Sequence, residues 1–422
     1  MTRTVFTGGQ VFDGTGSAAF PGDVVLEGDR IVEVRVGRHE VPDGAVAVDV
    51  TGHTVMPGLI ESHAHLTFPS AVGHIDPRFN PPVDVSFFRH IEGFESELAR
   101  TERNAAILLD AGFTSAYSAG SLLPMPVEPV VRDKIRAGVI PGPRLLAAAA
   151  ERDNHPQRPD GHFEADWQGP EACATWVREH AAQGFDSVKF LVSNDDVFVP
   201  GGSHMTQYTA EELNAAGQAA RETGVWLNGH CQSPESVKLA VKAGFRSIYH
   251  CTYADEEALD LLESVKDFAF VSPAPGIIYA NVYEGEEFGI TSEVARTMGS
   301  VDALDGMRAI YPEICKRGIR ALIGGDYGFP NNPIGRNARD LGLFVRELGY
   351  SPVEALVAAT QYGGQLMGMG DELGLLKPGY LADLLVVEGD PTTDVTLLED
   401  ADNLAFIVQG GAFHKSPSPL AA

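Results

Sequence analysis

Two histidines one residue apart, His63 and His65, close the apolar run "VMPGLIESHAHL". Strand side chains two positions apart point to the same face, so both imidazoles aim at one place. Imidazole nitrogen is a common ligand for divalent metals. A pair alone does not make a site, and the ends of the other apolar runs must supply the rest. "DSVKFLV" carries Lys189, "VWLNGH" ends on His230, "RSIYH" on His250 and "RALIGGD" on Asp326. Imidazole and carboxylate donors together suit a zinc-like ion that keeps one position open for water and substrate. An aspartate beside such an ion can move a proton between water and a leaving group. The pattern therefore points to metal-assisted hydrolysis.

These residues work together only if the fold gathers the ends of their strands. Between residue 58 and residue 370, short apolar runs ("GFTSAYSAG", "FDSVKFLVS", "GVWLNGHC", "GFRSIYHC", "FAFVSPAP", "IRALIGGDYG") alternate with helix-period segments. "TAEELNAAGQAARETG" and "SPESVKLAVKAG" each open on a capping Thr or Ser and close on Gly. Strand following helix following strand implies a parallel sheet. A run of this length fits a (β/α)8 TIM barrel, in which functional groups sit at the C-terminal ends of strands. Residues 1–57 and 371–422 carry instead short β-rich runs broken by Gly and Asp. They are expected to pair into a small β-sandwich beside the barrel, giving an α/β chain of two domains. The final "SPSPLAA" is expected to fray.

With 31 basic and 58 acidic side chains, the formal charge is −27. So acidic a surface repels phosphate backbones and anionic lipid, which argues against nucleic-acid and membrane partners. The cysteines, Cys173, Cys231, Cys251 and Cys315, are widely spaced and suggest neither a disulfide framework nor a thiolate metal site. Cys231 and Cys251 each follow a candidate ligand, and strand alternation turns them toward the core. No apolar run reaches the ~20 residues of a membrane span, and "MTRTVFTGGQVFDGTG" lacks an apolar signal core. A cytoplasmic setting is expected.

The motifs "HTVMPGLIESHAHL", "GFTS", "PGPRL", "SVKFLVS", "YTAEELNAAGQAARETGVWLNGH", "KAGFRSIYHCTYADEEAL", "GIRALIGGDYG" and "LGLLKPGYLADLLVVEGDPTTD" resemble the amidohydrolase superfamily. The likeness is to the branch of imidazolonepropionase-like proteins and metal-dependent Xaa-Pro dipeptidases. It implies two divalent metal ions, usually zinc, with manganese or iron as alternatives. By motif, His63 and His65 would bind the first metal, His230 and His250 the second, and Lys189, carboxylated by CO2, would bridge them. Asp326 would bind the first metal and act as general base and acid on a metal-bridging hydroxide. Physics is consistent with this: desolvation disfavours a buried ammonium, and a neutral amine can attack CO2 to give an anionic oxygen ligand. The implied reaction is cleavage of a C–N bond in an amide, dipeptide, carbamate, urea or cyclic amide. A small-molecule substrate and a homo-oligomeric assembly are expected.

Substrate contacts are less legible. The polar loop "ERDNHPQRPDGHF" offers His155 and His162 for a substrate carbonyl or carboxylate, with Arg152 or Arg158 for charge. Tyr279 and Tyr283 in "GIIYANVYEG", and His204, are further candidates. Two departures from the superfamily pattern bear on the pocket: "GFTSAYSAGS" where "GFTTVRD" is usual, and Tyr249 where a glutamate usually precedes the histidine. Deamination is a competing reading, but Glu235 stands five residues after His230, a poor match to an "HxxE" shuttle. Lactone or ring opening, non-hydrolytic chemistry on the same metals, and a non-catalytic barrel are the remaining alternatives. The last predicts missing ligands, whereas all six positions are filled.

Overall fold

The computed structural model describes residues 3–75, 93–121, 125–154 and 168–417. Fifteen strands are present among them. Five lie in the N-terminal segment: β1 (Arg3–Val11), β2 (Phe20–Glu27), β3 (Arg30–Val36), β4 (Val46–Asp49) and β5 (His53–Pro57). Three lie near the C-terminus: β13 (Leu384–Glu388), β14 (Leu404–Gln409) and β15 (Ala412–Lys415). All eight form one sheet, in the order β15-β14-β13-β5-β1-β2-β3 with β4 beside β1. The ends of the chain meet where β13 pairs antiparallel with β5, Val386 opposite Val55. Phe6, Val24, Val55, Val386 and Phe406 form the apolar core of this sheet. Several of its strands are buried in continuous runs, β2 over Gly22–Leu26 and β13 over Leu384–Val387, rather than alternating.

At Gly58 the chain leaves this sheet for β6 (Leu59–Ala64). A side chain at Gly58 would stand 2.2 Å from Thr114 Oγ1, so the crossing needs glycine. The central strands are β6, β7 (Phe113–Ser118), β8 (Arg144–Leu146), β9 (Ser187–Leu191), β10 (Trp226–Cys231), β11 (Ser247–His250) and β12 (Phe270–Ser272). They form two parallel sheets, β6-β7-β8 and β9-β10-β11-β12. Single parallel bridges link these sheets: Ala148 with Ser187, Val271 with Ala321, and Ala64 with Tyr327. Parallel pairing can thus be followed from β6 through β12 and residues 320–327 back to β6.

The run "IRALIGGDYG", read as a strand from sequence, pairs only at those isolated bridges. Asp326 sits at φ +59, and its left-handed backbone cannot continue a ladder.

Helices cover the outside of the ring, and their ends follow the capping logic of the sequence. Helix 210–223 begins with a reciprocal Thr209–Glu212 capping box and ends at Gly224, φ +79. Helix 234–243 starts from Ser233 and ends at Gly244, φ +85. In β9, Val188 and Phe190 join the apolar layer under these helices while Lys189 alternates to the other face. Cys231 and Cys251 are buried in the same layer. No helix among the described residues is long and apolar enough to cross a membrane.

Gly217, inside helix 210–223, lies against the end of helix 234–243: an added Cβ would come within 2.1 Å of the Ala243 carbonyl oxygen. Alanine normally improves a helix interior by about 1 kcal/mol, whereas overpacking typically costs about 1–3 kcal/mol. Contact with a backbone atom, which cannot swing aside, favours the cost. Gly217→Ala is expected to lower unfolding stability by roughly 1–2 kcal/mol, measured by denaturant titration; a stabilised variant would show that the helices can part without penalty.

Candidate metal centre

His63 lies at the end of β6, and the segment crossing behind it is held close by glycine. A Cβ at Gly324 would be 2.6 Å from the His63 backbone nitrogen, and one at Gly325 would be 2.4 Å from Asp340 Oδ1. The "GGD" motif therefore brings Asp326 to the histidines by permitting close backbone approach. Behind the strand, Glu61 accepts hydrogen bonds from the backbone amides of Ser62 (2.9 Å) and His63 (2.7 Å) and from Asn337 Nδ2 (2.7 Å). These bonds fix the backbone that carries His63.

His250 reaches the site differently. In β11, Tyr249 already faces inward, its ring stacked on His63 at 3.9 Å. Strict alternation would turn the next residue outward. His250 instead adopts φ +71, and its ring stands 5.3 Å from that of His63 and 4.4 Å from that of His230. A left-handed backbone costs a non-glycine residue about 1–2 kcal/mol, and such strain gathers at functional sites. His250 and Asp326 both carry it.

Ligand atoms of His63, His250 and Asp326 all lie within 4.8 Å of one another. Both ring nitrogens of His63 and Nε2 of His250 are buried without a hydrogen-bond partner among the described residues. His65 Nδ1 donates to the Gly120 carbonyl at 2.7 Å, leaving Nε2 with its lone pair 2.9 Å from Asp326 Oδ1. Two electron-pair donors that face each other this closely need a cation between them. Orphaned imidazoles and a facing carboxylate fit a divalent metal ion.

The electrostatics agree. Burial depresses His63 and His230 well below the ordinary histidine value and brings His250 to about 4. These rings are therefore neutral near pH 7, as metal ligands must be. Burial works to raise Asp326, but the histidines around it, with the hydrogen bond to His65 among them, outweigh it and hold the carboxyl low. His65 shows the converse: burial opposes its charged form, yet Asp326 and Glu151 raise its pKa overall.

Lys189 and His230 line the same cavity as His65, His250 and Asp326. His230 Nε2 accepts from the Gln232 side-chain amide at 3.2 Å, so this lone pair already has a partner. Lys189 is buried, with Nζ 4.5 Å from the centre of the Tyr249 ring and 3.3 Å from both the Ala119 carbonyl oxygen and Glu151 Oε1. Glu151, which also stands 3.9 Å from His65 Nε2, was not singled out in the sequence. It directly follows "RLLAAAA", and the strand-end test that found the other residues would have found it there. Tyr117, at one departure from the superfamily pattern, donates a hydrogen bond to Asn228 Oδ1 in the interior.

His155, His162 and Arg158 lie outside the described residues. Arg152 is buried, its guanidinium against Phe190 and Tyr208. Helix 275–279 presents Ile277 and Ile278 to the cavity, while Tyr279 packs on Tyr283 and lies under the guanidinium groups of Arg339 and Arg346. Tyr283 is exposed, and the exposed His204 packs on Tyr253.

A model of the amidohydrolase family matches residues 54–412. Ochratoxinase from Aspergillus niger is 27% identical over 251 residues, covering 59% of this chain and 50% of that protein; the chain thus spans about half the length of this relative. Imidazolonepropionase from Rubrobacter xylanophilus is 27% identical over 420 residues, 93% of this chain and 90% of the relative. A Xaa-Pro dipeptidase crystallised with methionine in its active site superposes with TM-score 0.81 at 25% identity, covering 98% of this chain and 100% of that one. Such neighbours imply a TIM-barrel fold of mixed α/β content, and the ring of parallel pairings is consistent with it.

Burial, followed by the charge of Asp340, pushes Glu61 up to about 8 against the pull of its three donors. A carboxyl raised in the folded state contributes its full stability below its ordinary value of 4.5 and loses it as pH rises toward 8. In metal-stripped protein, the wild type should therefore lose stability relative to Glu61→Gln across this interval. A pH-independent difference in denaturant midpoint would show Glu61 ionised throughout.

Proposed function

As the chain belongs to the amidohydrolase family, we propose that it is a metal-dependent hydrolase of a C–N bond in an amide, dipeptide, carbamate, urea or cyclic amide. The observation that carries this reading is the convergence of ligand atoms of His63, His250 and Asp326 within 4.8 Å of one another, with His65 Nε2 2.9 Å from Asp326 Oδ1. In the proposed arrangement, His63, His65 and Asp326 hold one divalent ion, His230 and His250 hold a second, and Lys189, carboxylated on Nζ, serves both. Two such ions, probe metal zinc, supply positive charge that polarises a carbonyl and makes water more acidic. Asp326 takes the proton of the attacking water and delivers it to the departing nitrogen. The surrounding structure is proposed as a closed (β/α)8 barrel of residues 58–370 beside a small β-sandwich of residues 1–57 and 371–422.

One contact favours a second reading of the bridge. Glu151, 3.3 Å from Lys189 Nζ, is an anionic oxygen donor already in place, and Lys189 could remain an ammonium paired with it. Isotopically labelled bicarbonate separates the two, because only a lysine carbamate takes up the label.

Removing Lys189 tests the shared site. Lys189→Ala, purified and loaded with zinc, should retain about one equivalent fewer metal ions than wild type; unchanged stoichiometry would remove the lysine from the centre. For the proton transfer, Asp326→Asn should lower kcat by roughly two to four orders of magnitude on any amide the wild type hydrolyses. Near-native turnover would exclude Asp326 as the base.

A further inference from the structure

Among the described residues, four carboxylates line the cavity: Glu151, Asp195, Asp196 and Asp326. Three are occupied. Glu151 faces Lys189, Asp326 faces the histidines, and Asp196 accepts the backbone amides of Gly201 (2.6 Å) and Ser203 (3.3 Å). Asp195 differs. Its Oδ1 accepts the Val197 amide at 2.8 Å and its own N–H donates to Asn194 Oδ1 at 2.8 Å, which fixes the carboxylate in place. Its Oδ2 has only long approaches, 3.4 Å to Gln232 Nε2 and 3.6 Å to His230 Nε2.

The cavity that Asp195 shares has a mostly apolar lining, with Leu191, Val197, Phe198, Ile277, Ile278 and Phe329 among its side chains. A carboxylate set in such a wall gains most from a cationic partner. The overall charge of −27 adds a field that draws cations and repels anions. Since Asp195 stands beside His230, a group it holds lies close to the reacting carbonyl.

We propose that Asp195 is a subsite for a protonated primary amine, and that the substrate is an α-aminoacyl amide with a large apolar side chain. The assignment of the scissile bond rests on the hydrolase reading above; the amine subsite does not. The ammonium would donate to Asp195 Oδ2, the side chain would lie on the apolar wall, and the scissile carbonyl, one carbon from the amine, would face the ligand cluster.

The test pairs turnover with binding, on zinc-loaded wild type and Asp195→Asn. Asparagine keeps an oxygen for the Val197 amide, so the loop retains its anchor. Turnover of L-phenylalanine para-nitroanilide is compared with that of its N-acetyl derivative. Wild type should favour the free amine by on the order of tenfold in kcat/KM, as a charged hydrogen bond warrants. In Asp195→Asn this preference should collapse toward unity, chiefly through KM. Calorimetry with L-phenylalaninol and with hydrocinnamyl alcohol, which lacks the amine, should show the same preference in wild type and its loss in the variant. An amine preference that survives in Asp195→Asn would overturn the proposal, as would loss of bound zinc in that variant, which would make Asp195 a ligand instead. If Asp195-dependent binding of phenylalaninol appears while no amide, dipeptide, carbamate, urea or cyclic amide is hydrolysed, the subsite stands and the hydrolase reading fails. If both anilides are cleaved with no amine preference, the hydrolase reading stands and the subsite fails.

Discussion

The structure is organised around electron-pair donors gathered at one place, where the described residues leave several of them without a hydrogen-bond partner. His65 Nε2 faces Asp326 Oδ1 at 2.9 Å, and the ring nitrogens of His63 and Nε2 of His250 are buried nearby without hydrogen bonds among the described residues. In a low-dielectric interior such a cluster is unfavourable by itself. It is sensible only as one half of an interaction whose other half is a cation.

Holding it together draws on the scaffold. Glycines at 324 and 325 let Asp326 come up against β6, and the hydrogen bonds to Glu61 stiffen the strand that carries His63. Two ligand candidates, His250 at φ +71 and Asp326 at φ +59, occupy backbone conformations that hydrogen-bonded strands cannot use. The site therefore ends β11 and dissolves the regularity of residues 320–327. Helix packing and the parallel ladder on either side keep this strain from relaxing.

Charge divides the cavity into regions with different tasks. Neutral imidazoles and the low-pKa carboxylate of Asp326 occupy the floor, and Lys189 with Glu151 forms a second polar cluster beside them. Most of the remaining lining is apolar, and Asp195 Oδ2 has only long approaches there among the described residues. Tyr249 joins the two polar clusters, its ring packed between His63 and Lys189.

Strand and helix periods, capping residues and the ligand-bearing run ends are local properties of the sequence. They are enough to expect β6–β12, the helices opening at Thr209 and Ser233, and an interior face for Lys189 and His230. The "GGD" run is legible too, because glycine next to a reactive side chain signals close backbone approach. Other features are not local. The left-handed turn at His250 breaks the alternation that a sequence reading must assume. The missing ladder around Asp326 arises from packing against β6. Glu151 and Asp195 lie just beyond strand ends, in segments whose composition resembles any polar loop, and only the folded ring shows which of their oxygens reach the cavity. Sequence specified which chemical groups are present and roughly where each strand presents them; distances between groups on different strands, and the partners left unsatisfied, exist only once the ring is assembled.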